Sequence, residues 1–332
     1  MKRKNRVLTA AIPYLLSSII YCMGSDALLA QSAVSAKTGP MSAMYIEVNV
    51  NNLQNIQCYT LQAGGQQLFD LGIIFAANIN YNTSTKKAYF SANQNVQKVL
   101  SGRLTYIQPL QAKGIKVSLC ILGNHQGAGI CNFTSRSAAR AFAQQLADVV
   151  DTYKLDGIDF DDEYADYGAN GTPQANDSSF VILLSELRSL LPAGKLISFY
   201  YYGNATYSLQ YKGVQAGFYL NYSWNAIYGT FSAPAVPGMG KSQLAPAAID
   251  VNPGGPGGAT NPTTAVDLAR RTVNEGYGWC LFYDLPNTSI QGYLSPISQI
   301  LNKQPTSLTS GCLQSWNSQS KPQPAMRTSL PK

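Results

Sequence analysis

The chain has 332 residues, of which 45% are hydrophobic and only 12% charged, which excludes an intrinsically disordered chain. Its formal charge is +7, but Lys2, Arg3, Lys4 and Arg6 against Asp26 supply +3 of that within the first 30 residues, and no basic block follows, so nucleic acid is not an expected partner. One histidine beside 21 tyrosines leaves no metal-ligand cluster, no cofactor signature and no Ser-His-Asp order, and it suits either a large core or aromatic rings packed on the apolar faces of sugars.

In chain order, the basic start is followed by an apolar stretch from Val7 to Met23 and then small residues. This is the pattern of a secretory signal peptide over residues 1–36, with cleavage after Ala30 or Ala36. A membrane anchor fits less well, because Pro13, Ser17 and Ser18 interrupt a stretch already short for a span. Cys22 follows Ile-Ile-Tyr, a poor lipoprotein site, so the product is expected to be secreted or periplasmic.

Eight short apolar runs come next: Met44 to Val50, Phe69 to Ile79, Ile115 to Leu122, Gly157 to Glu163, Leu196 to Tyr202, Gly217 to Asn225, Ala247 to Val251 and Trp279 to Leu285. Between them the apolar spacing predicts helices over Asn93 to Ala112, Ser137 to Tyr153, Ser179 to Leu190, Thr264 to Glu275 and Ile290 to Leu301, with Thr263 and Thr264 as a cap region and Gly276 as a stop. Strand and helix in alternation predict parallel βαβ units, and eight of them over about 260 residues fit a single closed (β/α)8 barrel spanning 41–302. The fifth and sixth units are poor in helix, which predicts irregularity there. The polar segment 303–332 is expected to be a disordered tail. Five cysteines remain after the leader; their odd number does not make a disulfide scaffold, although Cys120 and Cys131 could bridge one loop.

The chemistry concentrates in Asp156-Gly157-Ile158-Asp159-Phe160-Asp161-Asp162-Glu163. Side chains alternate along a strand, so Asp159, Asp161 and Glu163 share one face and Ile158 and Phe160 the other. In a barrel the acids climb the interior and Glu163 emerges at the C-terminal mouth. A solvated acid run or a calcium loop would not alternate with Ile and Phe. Like charges at close range predict a proton shared by Asp159 and Asp161, and a Glu163 that favours its neutral form, as a general acid must. A glycosidase with two working carboxylates places them on opposite sides of the scissile bond. Acids stacked on one strand fit substrate-assisted hydrolysis instead. There the sugar's 2-acetamido oxygen is the nucleophile, Asp161 holds the acetamido N–H, and Glu163 protonates the leaving oxygen.

Asp156-Gly157-x-Asp159-x-Asp161-x-Glu163 resembles the DGxDxDxE signature of glycoside hydrolase family 18, the family of chitinases and endo-β-N-acetylglucosaminidases. The segments Tyr45-Ile46-Glu47-Val48-Asn49, Ile74 to Tyr81, Leu122 to Gly129, Asp161 to Gly168 and Asp267 to Val273 are similar to the endo-β-N-acetylglucosaminidase branch, over residues 41–302. The resemblance implies cleavage of the β-1,4 bond between the two core N-acetylglucosamines of high-mannose or hybrid N-linked glycans, with glycoproteins as partners and a monomeric enzyme. A chitinase, or a lectin on the same barrel, stays open as an alternative; the lectins lose the catalytic glutamate, which is present here.

The same resemblance suggests binding residues. Chitinases of the family hold the acetamido group with a tyrosine on the sixth strand. Here Asn225 stands at that position, with Tyr228 close by, and either could donate. Tyr283 occupies the place of a tryptophan that floors the sugar site. Asn49, Phe75 and Asn78 end their strands at the mouth and His125 follows the third strand; these are candidate substrate contacts, while Asp156 and Gly157 are expected to be structural.

Overall fold

The computed structural model describes residues 37–318, so the leader lies outside the described residues. The barrel strands are β1 Met41–Glu47, β2 Leu71–Asn82, β3 Lys116–Leu122, β4 Gly157–Asp161, β5 Leu196–Tyr201, β6 Tyr222–Asn225, β7 in two pieces (Leu244–Ala245 and Ala247–Asp250) and β8 Trp279–Tyr283. Neighbours pair in parallel in that order, and β8 pairs with β1. The first piece of β7 pairs with β6 and the second with β8. Pro246 lies between the pieces and has no N–H for the ladder, so one strand changes partner at a proline and the ring closes through it.

The helices are α1 Gln94–Ser101, α2 Arg103–Tyr106, α3 Gln108–Ala112, α4 Arg136–Tyr153, α5 Ser179–Leu190, α6 Pro262–Asn274 and α7 Gln291–Asn302. The helix read as continuous from Asn93 to Ala112 is three short ones. Gly102 separates the first pair, and Pro109 sits in the first turn of the third. Helix α4 has Ser135 as its cap and buries Ala139, Phe142, Ala143, Leu146, Val149 and Val150, the stripe its spacing predicts. Helix α6 starts earlier than expected: Asn261 caps it, accepting from the Thr263 N–H, and Pro262 takes the first turn. Between β5 and β7, apart from β6 itself, only short 3-10 turns and small strand pairs occur, as expected for the irregular side.

Two apolar layers result. Ile158, Phe160, Ile197 and Phe199 face out into a core shared with the helices. Ala43, Tyr45, Ile73, Phe75, Cys120, Tyr200, Trp224, Leu281 and Tyr283 fill the barrel interior. Gly157 is required at the base of β4, because a Cβ there would stand 2.2 Å from the Leu196 carbonyl oxygen.

Two expectations fail. The segment after Lys303 is not a free tail as far as residue 318. Thr306–Leu308 pairs antiparallel with Tyr59–Leu61, and Cys312 forms a disulfide with Cys58. The bridge joins residues 254 apart, a spacing at which composition gives no hint of a partner. Cys120 and Cys131 are not paired. Both are buried thiols on opposite sides of the barrel wall, one in the interior and one in the outer core.

Candidate active site

Asp159, Asp161 and Glu163 are buried in a column at the C-terminal end of β4. The donors around this column are distributed unequally. Asp159 accepts from the Tyr45 hydroxyl at 2.7 Å, the Ser198 hydroxyl at 2.5 Å and the Trp224 indole N–H at 2.9 Å, from β1, β5 and β6. Burial raises its pKa and these hydrogen bonds oppose the rise. Among the described residues no side chain donates to Asp161, and its one near donor is the backbone N–H of Glu163. Burial, then the charge of Glu163, then that of Asp159 push its pKa far above the usual range. Asp159 is thus the donor-rich carboxylate, and Asp161, pressed by both Glu163 and Asp159, is the acid of the column driven most strongly to hold a proton.

Glu163 is anchored through its backbone. Its carbonyl accepts from the Gly123 N–H at 3.0 Å, and the Tyr164 carbonyl accepts from the His125 N–H at 2.7 Å. The loops after β3 and β4 are thus zipped together. A Cβ on Gly123 would lie 2.4 Å from the Glu163 carbonyl oxygen, so only glycine permits this approach. Asp162, on the outward face, is buried too. It accepts from the Tyr167 hydroxyl and from the Ala205 N–H at 2.8 Å, tying the β4 end to the loop after β5. Burial lifts its pKa to about 6.

The predicted contacts divide. Tyr283 and Tyr228 stack at 4.9 Å, and Phe75 meets Tyr283 edge-on at 6.3 Å, so these three form one aromatic wall. The Tyr228 hydroxyl bonds that of Tyr200, which donates in turn to the Ala226 carbonyl at 2.6 Å. Asn225 is not a free donor. Its amide N–H groups go to the Pro246 carbonyl at 2.8 Å and to Thr230, and its oxygen accepts from Ile227, so it shapes the turn that presents Tyr228. Asn49 faces α1, accepting from Asn95 at 3.0 Å and Asn93 at 3.2 Å, and acts as a brace behind the mouth. Asn78 donates to the Gly123 carbonyl at 3.0 Å and steadies the same loop as His125. His125 lies at the rim, 2.9 Å from Asp166 through Nδ1, with its ring 5.2 Å from that of Tyr164. Asp156 is structural, bonded to the Val117 N–H at 2.9 Å and Gln111 at 2.8 Å.

Residues 41–226 match the sequence profile of Glycosyl hydrolases family 18. The chain belongs to this family. It is 50% identical over 272 residues to an endo-beta-N-acetylglucosaminidase of Flavobacterium sp. (strain SK1022), covering 82% of this chain and 83% of that one. It is 36% identical over 269 residues to endo-beta-N-acetylglucosaminidase F1 of Elizabethkingia meningoseptica, covering 78% and 77%. Among solved structures it is similar to EndoBT-3987 of Bacteroides thetaiotamicron in complex with a Man5GlcNAc product, at 27% identity and a TM-score of 0.72. That match covers 82% of this chain and 63% of the solved one. In the family 18 signature of this chain, the acids of β4 are the ones that the mouth presents.

Sequence reasoning missed Tyr45, Ser198 and Trp224 as the supports of Asp159. It also missed a second group of acids: Glu47, the last residue of β1; Asp250, the last of β7; and Asp284, just after β8. All three are buried around Tyr283. Asp284 accepts from Asn51 at 2.5 Å and Asn252 at 2.7 Å, and Asp250 accepts from the Asn252 N–H at 2.8 Å. Burial, followed by the Asp284 charge, lifts Glu47 to about 8 and Asp250 to about 7.

Proposed function

We propose that this chain is an endo-β-N-acetylglucosaminidase that hydrolyses the β-1,4 bond of the N,N'-diacetylchitobiose core of high-mannose or hybrid N-linked glycans and leaves one N-acetylglucosamine on asparagine. The observation that carries this reading is Asp161: buried, with no side-chain donor, one step below Glu163 on the same strand face. Its environment suits an amide N–H donor such as a 2-acetamido group. When that N–H bonds Asp161, the proton Asp161 held is better placed on Glu163. Glu163 then gives it to the glycosidic oxygen as the C1–O bond breaks and the acetamido oxygen bonds C1. Water next attacks C1, Glu163 takes its proton, and the oxazoline opens with retained configuration. Similarity to endo-β-N-acetylglucosaminidases over most of the chain supports the same substrate class rather than chitin.

The test is incubation of a purified high-mannose glycoprotein with the protein, followed by mass analysis of both products. The expected outcome is a glycan ending in one N-acetylglucosamine and a protein retaining the other. Cleavage only of chitin oligomers, or release of the whole glycan, would sink the proposal.

The basic and apolar leader supports export, and the Cys58–Cys312 disulfide suits an oxidising compartment. A secreted or periplasmic location is therefore part of the same proposal, as is action as a monomer. N-terminal sequencing that begins at Met1 in exported protein, or a dimer in solution light scattering, would contradict these parts.

A further inference from the structure

Glu47 follows Tyr45 by two residues on β1, so its side chain rises on the interior face, one layer above the tyrosine that bonds Asp159. Tyr45 is in register with Tyr283 across the β1–β8 pair, which places the Glu47 carboxyl just above the aromatic wall. Glu47 is 5% exposed. One carboxyl oxygen, Oε1, accepts from the Asn49 N–H at 3.1 Å, and the Asn49 side-chain amide lies beside the carboxyl; the other oxygen, Oε2, is buried and makes no hydrogen bond of good geometry among the described residues. A buried polar oxygen left open is costly in a folded chain and calls for an explanation.

We infer that Glu47 is a saccharide-binding residue, whose Oε2 bonds a hydroxyl of the sugar ring resting on Tyr283. This rests on the glycan-cleaving reading and extends it to a residue outside the β4 signature. A cation cage is not what the cluster offers. Asp284 has both oxygens on asparagine amides and Asp250 is engaged by Asn252, which leaves the open oxygen of Glu47 as a lone ligand where a cation needs several. The groups facing Glu47 are Asp284 and Tyr283 from the β8 end and Asn49 from its own loop, with Asp250 of β7 beside the same Tyr283 and Asn51 held on Asp284. With no cation among them, burial and Asp284 keep Glu47 protonated at neutral pH. Because Oε1 already accepts, the proton belongs on Oε2, which can then donate to a hydroxyl oxygen and accept from a hydroxyl hydrogen. A saccharide ring stacked on an aromatic wall supplies such hydroxyls.

The experiment compares wild type, Glu47→Ala and Glu47→Gln on a high-mannose glycopeptide, with kcat and KM across pH 5.5–9. Kd for the released oligosaccharide is measured by calorimetry, and thermal melts check folding. Glu47→Ala should raise KM and Kd by about tenfold, the scale of one lost hydrogen bond at a buried site, without lowering the melting temperature. Glu47→Gln, which carries an N–H where Oε2 carries its proton, should recover most of that loss. Its KM should stay flat above pH 8, where that of the wild type rises. The inference is overturned if Glu47→Ala matches wild type in KM and Kd, or if the KM of Glu47→Gln climbs with pH as the wild type does. A wild type that leaves the glycopeptide intact would instead undo the functional reading; the Kd comparison would still decide the role of Glu47.

Discussion

The barrel mouth buries acids in two places, on the β4 column and across the mouth at the ends of β7, β8 and β1. Burial is the largest cause of raised pKa in both. Hydrogen-bond donors separate them. On β4 the side-chain donors gather on Asp159 and none reaches Asp161; at the rim, Asn51 and Asn252 satisfy Asp284 and leave one oxygen of Glu47 open. An acid that no side chain holds, beside a second acid, suits proton exchange and an incoming amide. An acid with one oxygen held and one open suits a fixed contact. The prediction is a division of labour, chemistry on β4 and grip at the rim, and mutation can test each side.

The sharpest test is at the top of the column. Glu163→Gln keeps shape and removes the proton, so kcat on a glycoprotein should fall by roughly 10²–10⁴-fold, the usual worth of general acid–base catalysis. Oligosaccharide binding, measured by calorimetry, should persist. Near-normal turnover in this variant would remove Glu163 from the acid role and dissolve the distinction between the regions.

Asp161→Asn comes next and tests mechanism. It should slow cleavage of the glycan strongly, yet slow reaction of a preformed glycan oxazoline much less, because the step in which Asp161 steers the acetamido group has then been bypassed. Equal losses on both substrates would reduce Asp161 to a structural role. A glycosyl adduct trapped on any enzyme carboxylate and located by mass spectrometry would replace substrate assistance with a two-carboxylate scheme.

The two regions also differ in how far they could be read from sequence. The β4 acids recur at period two within one apolar strand, so both face and depth follow from local geometry. The rim acids stand at positions 47, 250 and 284, and only barrel closure brings them together. The same limit explains the other misreadings. Asn225 had the right position for a donor, but its amide is consumed by Pro246 and Thr230, groups that arrive from β7 and its preceding loop. Cys58 and Cys312 pair because the strand at Thr306–Leu308 returns to Tyr59–Leu61, which no pattern around either cysteine announces. Eight strands were legible because each buries an apolar face, and the breaks in the helix after Asn93 were not, because tertiary packing chooses among several acceptable stops.

A smaller effect is expected one layer below the chemistry. Tyr45→Phe removes one of the donors to Asp159 while keeping the ring against Phe75 and Tyr200. A buried acceptor deprived of one bond loses about 1–1.5 kcal/mol, so activity should drop by roughly tenfold, with Ser198 and Trp224 limiting the damage. The check is kcat with the thermal melt alongside. An unchanged kcat would show that the donors on Asp159 do not set the state of Asp161 above it.

The smallest effect on rate belongs to the rim, where the signature appears in stability instead. Glu47 in the folded protein has its pKa raised to about 8, against an ordinary glutamate value of 4.5. A raised carboxyl pKa means the folded state holds the proton more tightly than the unfolded chain. The resulting stabilisation is complete at low pH and is lost as pH climbs from the ordinary value through 8, with a slope of up to about 1.4 kcal/mol per pH unit. Glu47→Gln has no such proton to lose. Its melting temperature should therefore lie close to that of wild type near pH 5, draw ahead as pH rises, and run parallel above pH 8. Asp250→Asn should show the same divergence but reach its plateau near pH 7, where Asp250 has lost its proton. Contributions from Asp162 and the β4 column are common to variant and wild type and drop out of each difference. A gap between Glu47→Gln and wild type that is constant from pH 5 to 9 would mean that Glu47 is ionised throughout, and the open oxygen at the rim would then present a negative charge to the sugar rather than a hydroxyl-like donor.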